Sequence, residues 1–157
     1  MEFIYINKLV SLKESKNWND TGVDEIIITQ KEQENGILFP LSYREFLSYS
    51  GKWSSVVKLI APFDSLQEAQ KEAQDLLTEY NLGHLIKKRF WVIGTSGDSD
   101  SFWYFHLDDG DNPPIYRLSC MYYEDYPDES SFGKVSDSFQ DWIERAIENY
   151  ESDPVNN

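Results

Sequence analysis

Three short apolar segments in the second half of the chain constrain its fold more than any other feature. Aromatic and β-branched residues fill 90–94, 102–107 and 115–118, and the turn-rich segments 95–100 and 108–114 join them. Connections this short allow only antiparallel pairing, because a parallel crossover needs about a dozen residues or more. The sequence therefore predicts an antiparallel meander, in which each strand pairs with the next one along the chain.

Apolar residues at helical spacing predict four helices around this sheet. The helices cover 21–34, 39–50, 65–80 and 139–150. A further strand is predicted over 53–60. The resulting order, helix, helix, strand, helix, strands, helix, is typical of an α+β fold in which helices pack on an antiparallel sheet.

The first of these helices contains a run whose composition favours a strand. Residues 26–29 are β-branched and fit a strand by propensity alone. Helix formers follow this run, and Asn35-Gly36 provides a common helix stop. We therefore expect a helix here.

The chain is expected to form one domain over residues 1–150, with a frayed tail over 151–157. Its 157 residues are about the length of a single domain, and no Pro- or Gly-rich linker divides them. Aromatic residues make up 15% of the chain, which is far more core-forming material than a disordered chain contains.

Cysteine content and hydropathy restrict the location and chemistry of the protein. The single cysteine, Cys120, excludes an internal disulfide and any site built from two or more thiolates. Residues 1–12 lack the basic and apolar regions of a secretory signal. No apolar run approaches the roughly 18 residues of a membrane helix. We therefore expect a cytoplasmic protein with no membrane partner.

Acidic residues are concentrated in the last third of the chain. The formal net charge is −14, from 28 acidic and 14 basic residues. Residues 98–157 carry 15 of the acidic side chains and only 3 of the basic ones. Nucleic acids and anionic membranes bind through Lys and Arg, so this distribution argues against both. It favours a basic protein as the partner.

Candidate catalytic and metal-binding motifs fail on their spacing. His84 and His106 lie outside any known metal-ligand motif. The segment 94–97 resembles a nucleophile elbow, but Asp98 follows where that motif requires glycine. The acidic segment 108–112 lacks the glycine and glutamate that an EF-hand loop needs downstream. We therefore predict no catalytic residue, no metal and no cofactor.

Acidic and aromatic residues in the turns are the candidate partner-binding residues. Tyrosines between 122 and 126 are interspersed with acidic residues, which suits them as anchors within an acidic patch. Aspartates in the turns would steer a basic protein toward this surface. The predicted set is Asp98, Asp100, Asp108, Asp109 and Asp111 for steering, with Tyr122, Tyr123 and Tyr126 as anchors.

The order of several motifs resembles the SUKH superfamily, which is named for fungal cell-wall-assembly regulators and bacterial immunity proteins. The most specific segment is Phe39-Pro40-Leu41-Ser42-Tyr43-Arg44-Glu45-Phe46-Leu47, with Gly51 after it. Supporting matches extend from Trp18 to Ile147, which is nearly the whole chain. They are Trp18, Glu25-Ile26, Glu32, Trp91-Val92-Ile93-Gly94, Gly97-Asp98, Trp103-Tyr104-Phe105, Asp108, Pro114-Ile115-Tyr116 and Phe139-x-x-Trp142.

The resemblance implies an α+β fold and, for most bacterial members, a role as a cytoplasmic immunity protein. Such proteins neutralise toxin domains, often nucleases or deaminases, that are delivered between competing cells. The family shares no catalytic residues, so the resemblance assigns none here.

Three functions remain open from the sequence. The leading hypothesis is an immunity protein that binds a cognate, basic, nuclease-type toxin domain stoichiometrically. A regulatory adaptor or scaffold of the same fold is the first alternative. A hydrolase that uses a carboxylate pair is the second and less favoured one. The oligomeric state stays open between a monomer and a weak dimer.

Overall fold

Four antiparallel strands form the central sheet of the computed structural model, which describes residues 2–156. The strands, which follow chain order across the sheet, are β1 (Phe90–Ser96), β2 (Ser101–His106), β3 (Ile115–Ser119) and β4 (Phe132–Ser136). The predicted meander is confirmed, because β1 to β3 coincide with the three apolar segments. The additional strand, β4, carries Gly133 and Lys134 and therefore has little strand pattern in its sequence.

Six α-helices accompany the sheet within residues 2–156. They are α1 (Asn7–Lys16), α2 (Glu25–Asn35), α3 (Leu41–Ser50), α4 (Leu66–Glu79), α5 (Cys120–Tyr123) and α6 (Phe139–Ser152). The four predicted helices correspond to α2, α3, α4 and α6, which confirms the α+β fold. A 3-10 turn, Pro154–Asn156, follows α6. The predicted frayed tail stays a prediction, and Asn157 lies outside the described residues.

The helix expected over the β-branched run is confirmed as α2. Gly36 ends it in the left-handed conformation, with a φ angle of 62°, and its N–H bonds to carbonyls of the last turn. Ile28 and Glu32 lie one turn apart and are both buried, whereas Ile26 is 76% exposed. Burial of one face of the helix in the core therefore outweighs the strand propensity of residues 26–29.

The strand predicted over 53–60 is wrong. The segment is irregular, and only Trp53 takes part in an isolated bridge. The buried Asp20 carboxylate accepts hydrogen bonds from the Ser55 N–H at 3.0 Å and the Ser50 hydroxyl at 2.9 Å. These side-chain bonds replace the ladder that a strand would need.

Helix α1 was not predicted, because its apolar stripe is short. Its buried side chains are Leu9 and Leu12. A distant carboxylate fixes the chain just before the helix: Glu45 accepts hydrogen bonds from the N–H groups of Ile4 at 2.9 Å and Tyr5 at 2.8 Å. This helix therefore depends on a tertiary contact that local sequence does not reveal.

Helices cover both faces of the sheet. Trp91, Ile93, Phe105 and Ile115 pack in the larger core cluster with buried residues of α1, α2, α3 and α6. Val92, Phe102, Tyr104 and Leu118 pack in a second cluster with α4. Within residues 2–156, no helix has the length and apolarity needed to cross a membrane.

Candidate functional site

The predicted partner-binding residues lie at two opposite ends of the sheet. The β1–β2 hairpin places Asp98 and Asp100 at the end where Ser101 pairs with Ser119. The loop between β2 and β3 places 108–111 at the other end. The six residues of β2 separate the two ends by about 17 Å.

The first of these ends combines two acidic segments, 97–100 and 120–131, which we call the acidic end. The N–H of Cys120 donates to the carbonyl of Asp100 at 3.0 Å and joins the two segments directly. Six carboxylates lie here, and neither segment contains Lys or Arg. The six are Asp98, Asp100, Glu124, Asp125, Asp128 and Glu129. All except Asp100, which is half-buried, are exposed.

Apolar side chains are exposed among these carboxylates. Tyr126 is 58% exposed, Tyr122 46% and Met121 44%. Tyr123 is half-buried and packs edge-to-face on Phe132, with 6.2 Å between ring centroids. The structure therefore brings the three predicted tyrosines together with Asp98 and Asp100, and two of the three are accessible to a partner.

A tyrosine from α4's C-terminal side holds the β1–β2 hairpin in place. Asp100 has a φ angle of 45°, and its carboxylate accepts a hydrogen bond from the Tyr80 hydroxyl at 2.5 Å. This bond, together with burial, raises the pKa of Tyr80 to about 12. In the sequence, Tyr80 is only the last residue of the helix predicted over 65–80. No local signal connects it with Asp100, because the two are 20 residues apart.

Hydroxyl groups connect the strands beneath the acidic end. The Ser101 hydroxyl lies 2.5 Å from that of Ser99 and 2.7 Å from that of Ser119. Within the 120–131 segment, the Asp128 carboxylate accepts from both the N–H and the hydroxyl of Ser130, and these bonds lower the pKa of Asp128. The segments that carry the charges are therefore held by the protein's own hydrogen bonds.

The aspartates at the other end of the sheet are used in part by the fold itself. Asp109 is half-buried and lies 3.4 Å from the ammonium group of Lys88. The carbonyl of Asp111 accepts the N–H of Ser42 at 2.9 Å, in the first turn of α3. The side chains of Asp108 and Asp111 are exposed. Among the described residues, the exposed tyrosines are Tyr122 and Tyr126 of the acidic end, so the anchors and these three aspartates do not form one surface.

The geometry also bears on the hydrolase alternative. A glycosidase places two carboxyl groups about 5–9.5 Å apart. Asp98 and Asp108 lie at opposite ends of β2, so these two residues do not form such a pair. Burial raises the pKa of the Cys120 thiol to about 11, which disfavours the nucleophilic thiolate. Within residues 2–156, no group of three or more His, Cys, Asp or Glu side chains is arranged to hold a metal ion.

Comparison with known proteins identifies the family. No curated protein matches the chain. The family model of the SMI1/KNR4 family (SUKH-1) matches residues 22–145, which include α2, α3, the whole sheet and the acidic end. This match covers most of the chain and agrees with the resemblance seen in the sequence. The chain belongs to the SMI1/KNR4 family (SUKH-1).

Proposed function

We propose that this protein is an immunity protein that neutralises a cognate, basic, nuclease-type toxin domain by binding it stoichiometrically through the acidic end. Membership of the SUKH-1 family is consistent with an immunity protein or a related regulator, and proteins of this family usually bind protein partners. The observation that carries the proposal is the placement of six carboxylates and three exposed apolar side chains on one end of the sheet.

Charge complementarity supports a basic partner. A nuclease holds its substrate with Lys and Arg side chains that contact phosphates. An acidic surface competes for the same cationic groups and raises the association rate of the two proteins. Tyr122, Tyr126 and Met121 would then contribute apolar contact area, which slows dissociation.

The hydrogen bonds beneath the acidic end support tight binding. A surface that is ordered before binding loses less conformational entropy when the complex forms. The bond from Tyr80 to Asp100 and the serine hydroxyls of β2 and β3 provide such order. The carboxylate of Asp100 is therefore held in one arrangement before binding.

Coexpression tests the biological role. A bacterial strain that expresses the toxin domain encoded by the neighbouring reading frame is expected to survive only when this protein is present. A panel of unrelated nuclease toxins serves as the control and should still kill the cells. A regulatory adaptor would bind a partner without rescuing any strain, and that result would contradict the proposal.

Neutralising charges tests which end binds. We expect the triple variant Asp98→Asn, Glu124→Gln, Asp125→Asn to slow association with the toxin domain roughly tenfold at low salt, because steering raises association rates by about 10–1,000-fold. None of these three side chains makes a hydrogen bond or an ion pair within residues 2–156, so the fold should be unaffected. Stopped-flow mixing at several salt concentrations measures the rate.

The matched control neutralises the same number of charges at the other end of the sheet. It is the triple variant Asp108→Asn, Asp109→Asn, Asp111→Asn. This variant also slows association if the aspartates of both ends attract the toxin domain, which is what the sequence predicts. The clustering of anchors at the acidic end favours a smaller effect for this control. Equal rates for the wild type and the acidic-end variant would refute steering by that end.

A further inference from the structure

A second surface of different chemistry surrounds the irregular segment 51–62. One cavity of about 340 Å³ lies between this segment and the end of α3. Another, of about 350 Å³, lies between the same segment and α6. Val57 and Lys58 line both cavities. We call the first cavity the crevice.

The crevice has an apolar wall and an exposed aromatic rim. Phe46, Val57 and Ile60 line it and are buried, with exposed fractions of 1%, 4% and 7%. Trp53 also lines it and is 63% exposed. Leu59, which lines the other cavity, is 50% exposed. Trp53 therefore adds an exposed aromatic side chain to an apolar cavity, and Trp is enriched at the binding hot spots of protein interfaces.

Two lysines without carboxylate partners lie on the same crevice. Lys52 and Lys58 line it and are exposed. Within residues 2–156, no carboxylate oxygen lies within 4.0 Å of either ammonium group. The chain has a net charge of −14, yet the rim of this crevice carries positive charge. Its charge is therefore opposite to that of the acidic end.

We propose that the crevice binds an acidic segment of a partner protein, with a phenylalanine or leucine of that segment against Trp53 and its carboxylates beside Lys52 and Lys58. The apolar wall provides the contact area, and the lysines select an acidic over a basic segment. Two lysines are too few for the longer cationic track that a nucleic acid requires. This binding site is independent of the acidic end and of the proposed immunity function.

An NMR titration of the 157-residue chain tests the proposal. The probe is a short synthetic peptide of glutamates with one phenylalanine and one leucine. We expect the backbone resonances of residues 51–62 and the indole resonance of Trp53 to shift, with a dissociation constant of roughly 0.1–1 mM. Two control peptides replace either the glutamates with lysine or the two apolar residues with alanine. Both are expected to bind at least about tenfold more weakly.

Charge reversal in the protein provides the second arm. The double variant Lys52→Glu, Lys58→Glu is expected to weaken binding of the acidic peptide at least about tenfold. Lys87→Glu is the control and should leave binding unchanged, because Lys87 is exposed, precedes β1 and forms no ion pair with another residue of 2–156. Equal binding of the lysine peptide, shifts confined to other residues, or no shifts would overturn the proposal. Shifts of 51–62 that depend on protein concentration without peptide would assign the crevice to a second copy and overturn it as well.

Discussion

Replacing Gly94 with alanine is expected to lower the free energy of unfolding by about 3 kcal/mol, the upper part of the usual range for overpacked sites. Gly94 lies in β1, against the backbone of the 51–62 segment. A Cβ atom at Gly94 would lie 1.8 Å from the carbonyl oxygen of Leu59 and 3.0 Å from its carbonyl carbon. Both are backbone atoms, so no side-chain rotation relieves the clash and the segment has to move away from β1. Urea denaturation followed by tryptophan fluorescence measures the loss.

The same substitution three residues further on is the matched control. A Cβ atom at Gly97 would meet no atom within 4 Å, and its φ angle is not in the left-handed region. We expect Gly97→Ala to change the unfolding free energy by no more than about 0.5 kcal/mol. Hydrogen exchange gives a second readout, because the Ala61 N–H donates to the carbonyl of Ile93 at 2.7 Å and should exchange faster only in Gly94→Ala. Equal behaviour of the two variants would contradict the close approach.

The contrast between the meander and the 51–62 segment shows which structure can be predicted from sequence. Strands β1 to β3 follow one another within 30 residues, and short connections leave antiparallel pairing as the only arrangement. The segment 53–60 has the composition of a strand, but its conformation depends on the Asp20 carboxylate and on the approach of Leu59 to Gly94. Contacts over 30 residues or more are not visible in a local pattern, so the strand prediction failed.

The candidate site was predictable only where it depends on local composition and on the order of the strands. The turn with Asp98 and Asp100 and the tyrosines of 122–126 were identified from composition. That they share one end of the sheet follows from the pairing of Ser101 with Ser119. A meander places successive turns at opposite ends, so the separation of 108–111 from this site was implicit in the predicted topology. The crevice cannot be predicted from the sequence, because its main segment, 53–60, has the composition of a strand.

Truncation of Arg44 to alanine is expected to destabilise the protein by about 3 kcal/mol, because it leaves a buried carboxylate without its counterion. The Arg44 guanidinium bonds to Glu32 and, at 2.5 Å, to Glu25. Glu32 is only 3% exposed, and its other carboxylate oxygen accepts the N–H of Phe39 at 2.7 Å. This ion pair joins α2 to α3 at the start of the most specific family motif. The expected loss lies at the lower end of the range for buried pairs, because the Arg44 side chain is 23% exposed.

A double-mutant cycle separates this charge effect from a loss of packing. Glu32→Gln removes the buried charge and keeps the shape of the side chain, so truncating Arg44 in that background should cost at least about 1 kcal/mol less than in the wild type. Lys71→Ala, which breaks the exposed pair with Asp75 in α4, is the control and should change stability by no more than about 0.5 kcal/mol. Chemical denaturation of the four proteins of the cycle gives the coupling energy. If truncating Arg44 costs the same with glutamate or glutamine at position 32, the buried Glu32 carboxylate does not depend on its counterion.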